Sequence, residues 1–134
     1  VSSPDTAIYV VIDMTLEAVP QGFGGITADT LNAELVENPD LVLIDVRRAE
    51  ELESKGQIGA ANFVHIPLED LVAQKSMWPA DKDAKIVVYC GSGHRSTIAM
   101  TILDSYGYSD VGSLKGGFGG WAADGYPVGE FVAP

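Results

Sequence analysis

Apolar positions along this chain come in two spacings. Leu41 to Ile44 (LVLI) and Ile86 to Tyr89 (IVVY) are continuous apolar runs bounded by turn residues. Such runs read as strands covered on both faces. Asn62 to Ile66 and Val111 to Leu114 read as two more. Between them the spacing becomes helical. Thr27 caps a helix over 28–37, with Leu31 and Leu35 one turn apart, and Asn38-Pro39-Asp40 ends it. A short charged helix runs through Glu53 and breaks at Gly56. Pro67 opens a helix over 68–75 at its favoured first position, and 79–85 is a loop. From Ser96 to Tyr106 a helix carries Ile98, Ala99, Ile102, Leu103 and Tyr106 as its apolar stripe, and Gly107 terminates it. A last helical segment surrounds Trp121.

Strands alternating with helices predict an α/β fold in one domain: a central, mostly parallel sheet of about five strands with helices on both faces. The domain proper spans 26–134. Residues 1–25 hold a short strand (7–14), one helical turn (16–19) and the turn-forming PQGFGG. They read as an extension, either an added edge or the remnant of a longer chain. GFGG recurs at 117–120 with different flanks and is not a repeat.

Composition narrows the function. The chain has 134 residues, 46% hydrophobic, enough for one core and against disorder. A net charge of -11 lacks the basic footprint of nucleic-acid binding and disfavours anionic membrane surfaces. No apolar run approaches the roughly 20 residues of a membrane span. The single cysteine excludes an intrachain disulfide and a cysteine-based zinc site, and no metal or organic cofactor is expected. It leaves the compartment open, because one thiol suits reducing and oxidising surroundings alike.

That cysteine, Cys90, falls at the carboxyl end of a strand, where ligands bind in open parallel sheets. The segment Tyr89 to Ser96 reads YCGSGHRS. Gly91 and Gly93 let the backbone curl, and curled backbone turns successive N–H groups inward as an anion-binding nest. The following helix adds unpaired donors, and Arg95 adds a positive charge. A free thiol titrates near ~8.5, and such surroundings lower it. Two units of lowering correspond to about 2.7 kcal/mol in favour of the thiolate. Thiolate phosphatases place one more residue between cysteine and arginine than the four found here, Gly91, Ser92, Gly93 and His94. The smaller ring suits a single sulfur atom better than a phosphate.

At CGSGHRS the chain resembles the active-site loop of rhodanese-type sulfurtransferases. Ile44-Asp45-Val46-Arg47 with Glu50 and Glu51 resembles the family's D-V-R-x-x-x-E. Gly56-Gln57-Ile58-Gly59-Ala60 with Ile66-Pro67 resembles G-H-I-x-G-A…I-P, with Gln57 replacing the usual His and a longer spacing that implies a bulge or a longer lead-in. Leu114-Lys115-Gly116-Gly117-Phe118 with Trp121 and Gly125-Tyr126-Pro127-Val128 resembles its C-terminal L-x-G-G-F-x-x-W…G-Y-P-V.

The resemblance implies a rhodanese-like domain and a sulfane sulfur passing from thiosulfate or a similar donor, through a Cys90 persulfide, to a thiol, cyanide or protein acceptor. A sulfur-carrier module with little turnover, and a thiolate phosphatase or arsenate reductase, are the alternatives. The expected roles are Cys90 as nucleophile and Gly91, Ser92, Gly93, His94, Arg95 and Ser96 as the substrate-binding loop. Ser96 doubles as a candidate N-cap. Arg95 either attracts the donor's sulfonate or pins the loop to a strand-end carboxylate such as Asp45. Asp45 and Arg47 are auxiliary, orienting the loop from the neighbouring strand. His94 reads as an exposed loop residue and His65 as a structural histidine. Phe118 and Trp121 read as packing around the glycine-rich turn.

Overall fold

The computed structural model describes residues 24–130. The strand expected at 7–14 and the turn at 16–19 lie outside them. Five strands, β1 (Gly25–Ile26), β2 (Val42–Asp45), β3 (Asn62–His65), β4 (Lys85–Tyr89) and β5 (Asp110–Leu114), form one sheet in the order β1-β5-β4-β2-β3. Every strand pairing is parallel. The helices are α1 (Ala28–Glu37), α2 (Ala49–Lys55), α3 (His94–Ser105) and α4 (Gly117–Ala123).

Alternation along the strands divides the core into two layers, because successive side chains point to opposite faces. Ile44, Ile86, Val88, Cys90 and Val111 pack on one face with Ala99, Met100 and Leu103 of α3. Leu43, Val87, Tyr89 and Leu114 pack on the other with Leu31 of α1 and Phe118 and Trp121 of α4. Strands β2 and β4 are therefore apolar from Val42 to Ile44 and from Ile86 to Tyr89, with the charged Asp45 and Lys85 at their ends.

Local signals placed most boundaries. The Thr27 hydroxyl accepts the Thr30 N–H at 3.3 Å, and α2 ends on Gly56 at φ 85°. Strand β3 pairs with β2 over four consecutive residues without a bulge, so the longer spacing before Pro67 lies in the lead-in after Gln57. Three expectations need correction. The segment 68–75 is not an α-helix but two short 3₁₀ turns, Leu68–Asp70 and Lys75–Met77. Leu68 and Leu71 both reach the α3-side core, and a spacing of three fits the three-residue turn of a 3₁₀ helix. Helix α3 begins at His94, two residues early. Ile98 and Tyr106, read as part of its apolar stripe, are 52% and 42% exposed, and the buried face is Ser96, Ala99, Met100 and Leu103.

Candidate active site

The register aligns Asp45, His65 and Tyr89 across the carboxyl edge. Beyond Tyr89 the chain places Cys90, 1% exposed, and turns through Gly91–Gly93 into α3. Gly93 adopts φ 108°, a left-handed conformation that disfavours a side chain, and is the N-cap of α3. Helix N-terminal N–H groups have no intrahelical partner. Here they meet sulfur: the Cys90 Sγ accepts N–H groups from Gly93 at 3.0 Å and Ser96 at 3.4 Å. The Cys90 thiol lies 3.6 Å from the Ser96 hydroxyl. Ser96 is thus not the cap but a first-turn residue whose N–H and hydroxyl both face the sulfur. Burial pushes the thiol pKa up. The Ser96 hydroxyl and the N–H groups of Ser96, Gly93 and Ser92 outweigh it, leaving the thiol below its ordinary value.

The loop is gripped from behind. The Phe118 N–H donates to the Cys90 carbonyl at 2.7 Å, and the Gly119 N–H to the Gly91 carbonyl at 2.9 Å. A trans peptide sets its N–H opposite its C=O, so holding these carbonyls backward turns the Gly91 and Ser92 N–H groups forward. Gly117, at φ 59°, makes the grip possible. A Cβ there would stand 2.6 Å from the Cys90 carbonyl oxygen and 2.7 Å from the Gly91 carbonyl.

Arg95 binds Glu51 of α2 through both guanidinium ends, Nη1 to Oε2 at 2.7 Å and Nη2 to Oε1 at 2.8 Å. Asp45, the carboxylate suggested by the sequence, is already occupied. The bond from Arg95 holds Glu51 at a pKa of about 2, and the Glu51 carboxylate raises that of Arg95. Ser92 and His94 are exposed, and the Ser92 hydroxyl lies 3.4 Å from His94 Nδ1.

Asp45 and Arg47 are both buried and close on each other. The Asp45 carboxylate accepts the Arg47 backbone N–H at 2.9 Å and its Nη2 at 2.7 Å. Nη2 also donates to the Gly56 carbonyl, while the guanidinium carbon sits 4.2 Å from the Phe118 ring centre. Nη1 has no hydrogen-bond partner and is buried. The ring faces of Phe118 and Tyr89 compensate that charge in part. His65 Nε2 donates to the Arg47 carbonyl at 2.7 Å.

Three features escaped the sequence. Glu51 was visible only as a motif letter, and the contact of Gly117–Gly119 with the loop had no local signal. Ser113 on β5, whose hydroxyl lies 2.8 Å from that of Ser96, could have been flagged as a polar residue in an inward strand position.

The fold and the cradle together define a parallel α/β domain presenting a hydrogen-bonded, acidified thiol at the carboxyl edge of its sheet. The model of the rhodanese-like domain matches residues 27–124, and the chain belongs to that family. A sulfurtransferase of Allochromatium vinosum is 35% identical over 109 residues, covering 81% of this chain and 94% of that protein. The thiosulfate sulfurtransferase GlpE of Coxiella burnetii is 36% identical over 90 residues, covering 67% and 79%. The solved structure of a rhodanese-related protein from Thermoplasma volcanium superposes with a TM-score of 0.66 at 31% identity, covering 78% and 95%.

Proposed function

We propose that this domain moves a sulfane sulfur through a persulfide on Cys90, with thiosulfate or a similar compound as donor. The observation that carries this reading is the pair of N–H groups, from Gly93 and Ser96, on a buried thiol of lowered pKa. A thiolate formed without a general base is a ready nucleophile. It attacks the outer sulfur of thiosulfate. The new S–S bond forms as the bond to the sulfonate breaks, and sulfite leaves with the electron pair. The terminal sulfur keeps the negative charge, and the loop N–H groups from Gly91 to Ser96 stabilise it. An acceptor thiolate or cyanide then takes that sulfur, as a persulfide or as thiocyanate, and Cys90 returns to thiolate.

In this cycle Arg95 pins the loop. Its charge is committed to Glu51, which supports the pinning role over capture of the sulfonate. Asp45 and Arg47 hold the neighbouring strand end, and His94 and Ser92 line the approach.

Incubation with thiosulfate is expected to add one sulfur, about 32 Da, to Cys90 by intact-protein mass spectrometry. Cys90→Ser is expected to abolish both the mass shift and thiocyanate formation, by roughly 10³-fold or more. An unchanged mass, or full activity in the variant, would sink the reading.

A further inference from the structure

The inward face of β5 contains an anomaly. Val111 packs among Val88, Cys90, Ala99 and Met100, and the next inward position is Ser113, 5% exposed. Its neighbour in register on β4 is Val88, two residues before the cysteine. An aliphatic side chain would suit such a site, and a hydroxyl there needs a partner. The partner is Ser96, itself fully buried, with the two oxygens 2.8 Å apart.

Either oxygen could donate by geometry, and a count of protons favours Ser113. Ser96 has one hydroxyl proton and two acceptor lone pairs. With Cys90 as a thiol, the thiol hydrogen points to Ser96, and the Ser96 proton goes to the Gly93 carbonyl at 3.1 Å. With Cys90 as a thiolate, the Ser96 proton turns to the sulfur. The Gly93 carbonyl also accepts the Thr97 N–H and hydroxyl, so it is the thiolate that commits the Ser96 proton and makes Ser113 the donor. If it accepted instead, Ser96 could serve neither the carbonyl nor the sulfur.

We infer that Ser113 is a positioning residue: by donating to Ser96 it keeps the Ser96 hydroxyl available to the Cys90 sulfur and strengthens that bond in the thiolate. Hydrogen bonds in a chain polarise one another, and a hydroxyl that accepts a bond donates a stronger one. Ser113 acts from the strand beside the loop, through one intermediate, and does not touch the sulfur. The charged and titratable groups around the site are Arg95 and His94 on α3, Glu51 on α2 through Arg95, Lys115 past β5 and the closed Asp45–Arg47 pair. None of them hydrogen-bonds to Ser113, whose hydroxyl partner is Ser96.

The inference deepens the proposed function and rests on it for its catalytic consequence, but its test needs no sulfur donor. Cys90 is the only cysteine, so the pH dependence of iodoacetamide alkylation reports this thiol alone. Ser113→Val and Ser113→Thr are matched in shape and differ by the hydroxyl. Ser113→Val and Ser113→Ala are expected to raise the apparent thiol pKa by roughly half a unit, about a threefold loss of thiolate at a pH below it. Ser113→Thr is expected to keep the wild-type profile. Circular dichroism checks folding. Should Ser113→Val not fold, Ser113→Ala against Ser113→Thr makes the same comparison. Unchanged profiles in folded Val or Ala variants, or a Thr profile shifted as far as theirs, would overturn the inference. A failed persulfide test with these shifts intact would overturn the sulfur-transfer reading alone.

Discussion

The ends of β2 and β4 lie side by side, paired Asp45 with Tyr89, and each leads through a few residues into a helix. They solve the same problem in opposite ways. After β2, side chains consume what the backbone offers: the Asp45 carboxylate takes the Arg47 N–H, and the Arg47 guanidinium takes the carboxylate and the Gly56 carbonyl. Of the Arg47 guanidinium only the buried Nη1 lacks a hydrogen-bond partner, and that group is packed on the Phe118 and Tyr89 rings. After β4, glycines replace those side chains, and the N–H groups of Gly93 and Ser96 turn to one sulfur. A parallel sheet presents several strand ends to the same edge. Which of them becomes a site depends on whether its donors are satisfied internally. The closed end also serves the open one, because the Arg47 guanidinium packs on Phe118, whose N–H grips the Cys90 carbonyl.

Removing the closure at β2 should have the largest effect. Asp45→Asn leaves the buried Arg47 charge without its carboxylate, expected to cost about 3–5 kcal/mol of stability in a denaturant titration. A loss below about 1 kcal/mol would mean that the two strand ends are less different than their geometry.

Next comes the grip between the two regions. Gly117→Ala places a Cβ 2.6 Å from the Cys90 carbonyl oxygen, so the loop must shift. Misplacement on the order of 1 Å costs about 10²-fold in rate. A fall of that size in thiosulfate-dependent kcat/KM is expected, and wild-type kinetics in a folded variant would show that the back of the loop is not held as described.

The smallest effect belongs to the Glu51–Arg95 pair, which is partly exposed. Glu51 titrates near 2 rather than at its ordinary 4.5, so its contribution is complete above about 4.5 and is lost as the pH falls toward 2. Solvent screening limits it to about 1 kcal/mol or less. Glu51→Gln is expected to remove that part of the acid limb of the stability–pH curve while changing stability little at pH 2 or below. An acid limb identical to wild type would mean that the pair contributes nothing to holding the loop.

Alternating strands and helices, the two-faced core and the thiol in a glycine-spaced loop were legible from residue order, because strand period, capping and glycine conformation act over a few neighbouring residues. Leu43 and Ile44 part to opposite layers as the pleat requires. At 68–75 a Pro-led start fits an α-helix and a 3₁₀ turn equally, and packing of Leu68 and Leu71 decides between them. The partners that complete the cradle depend on tertiary structure. Glu51 meets Arg95 across 44 residues, and Ser113 meets Ser96 across 17, only because the sheet order sets β2 and β5 on either side of β4. The sequence determined that a thiol would stand at the open end of a parallel strand. Assembly of the sheet decided which carboxylate, glycines and hydroxyl surround it, because no local periodicity encodes a contact between strands brought together by folding.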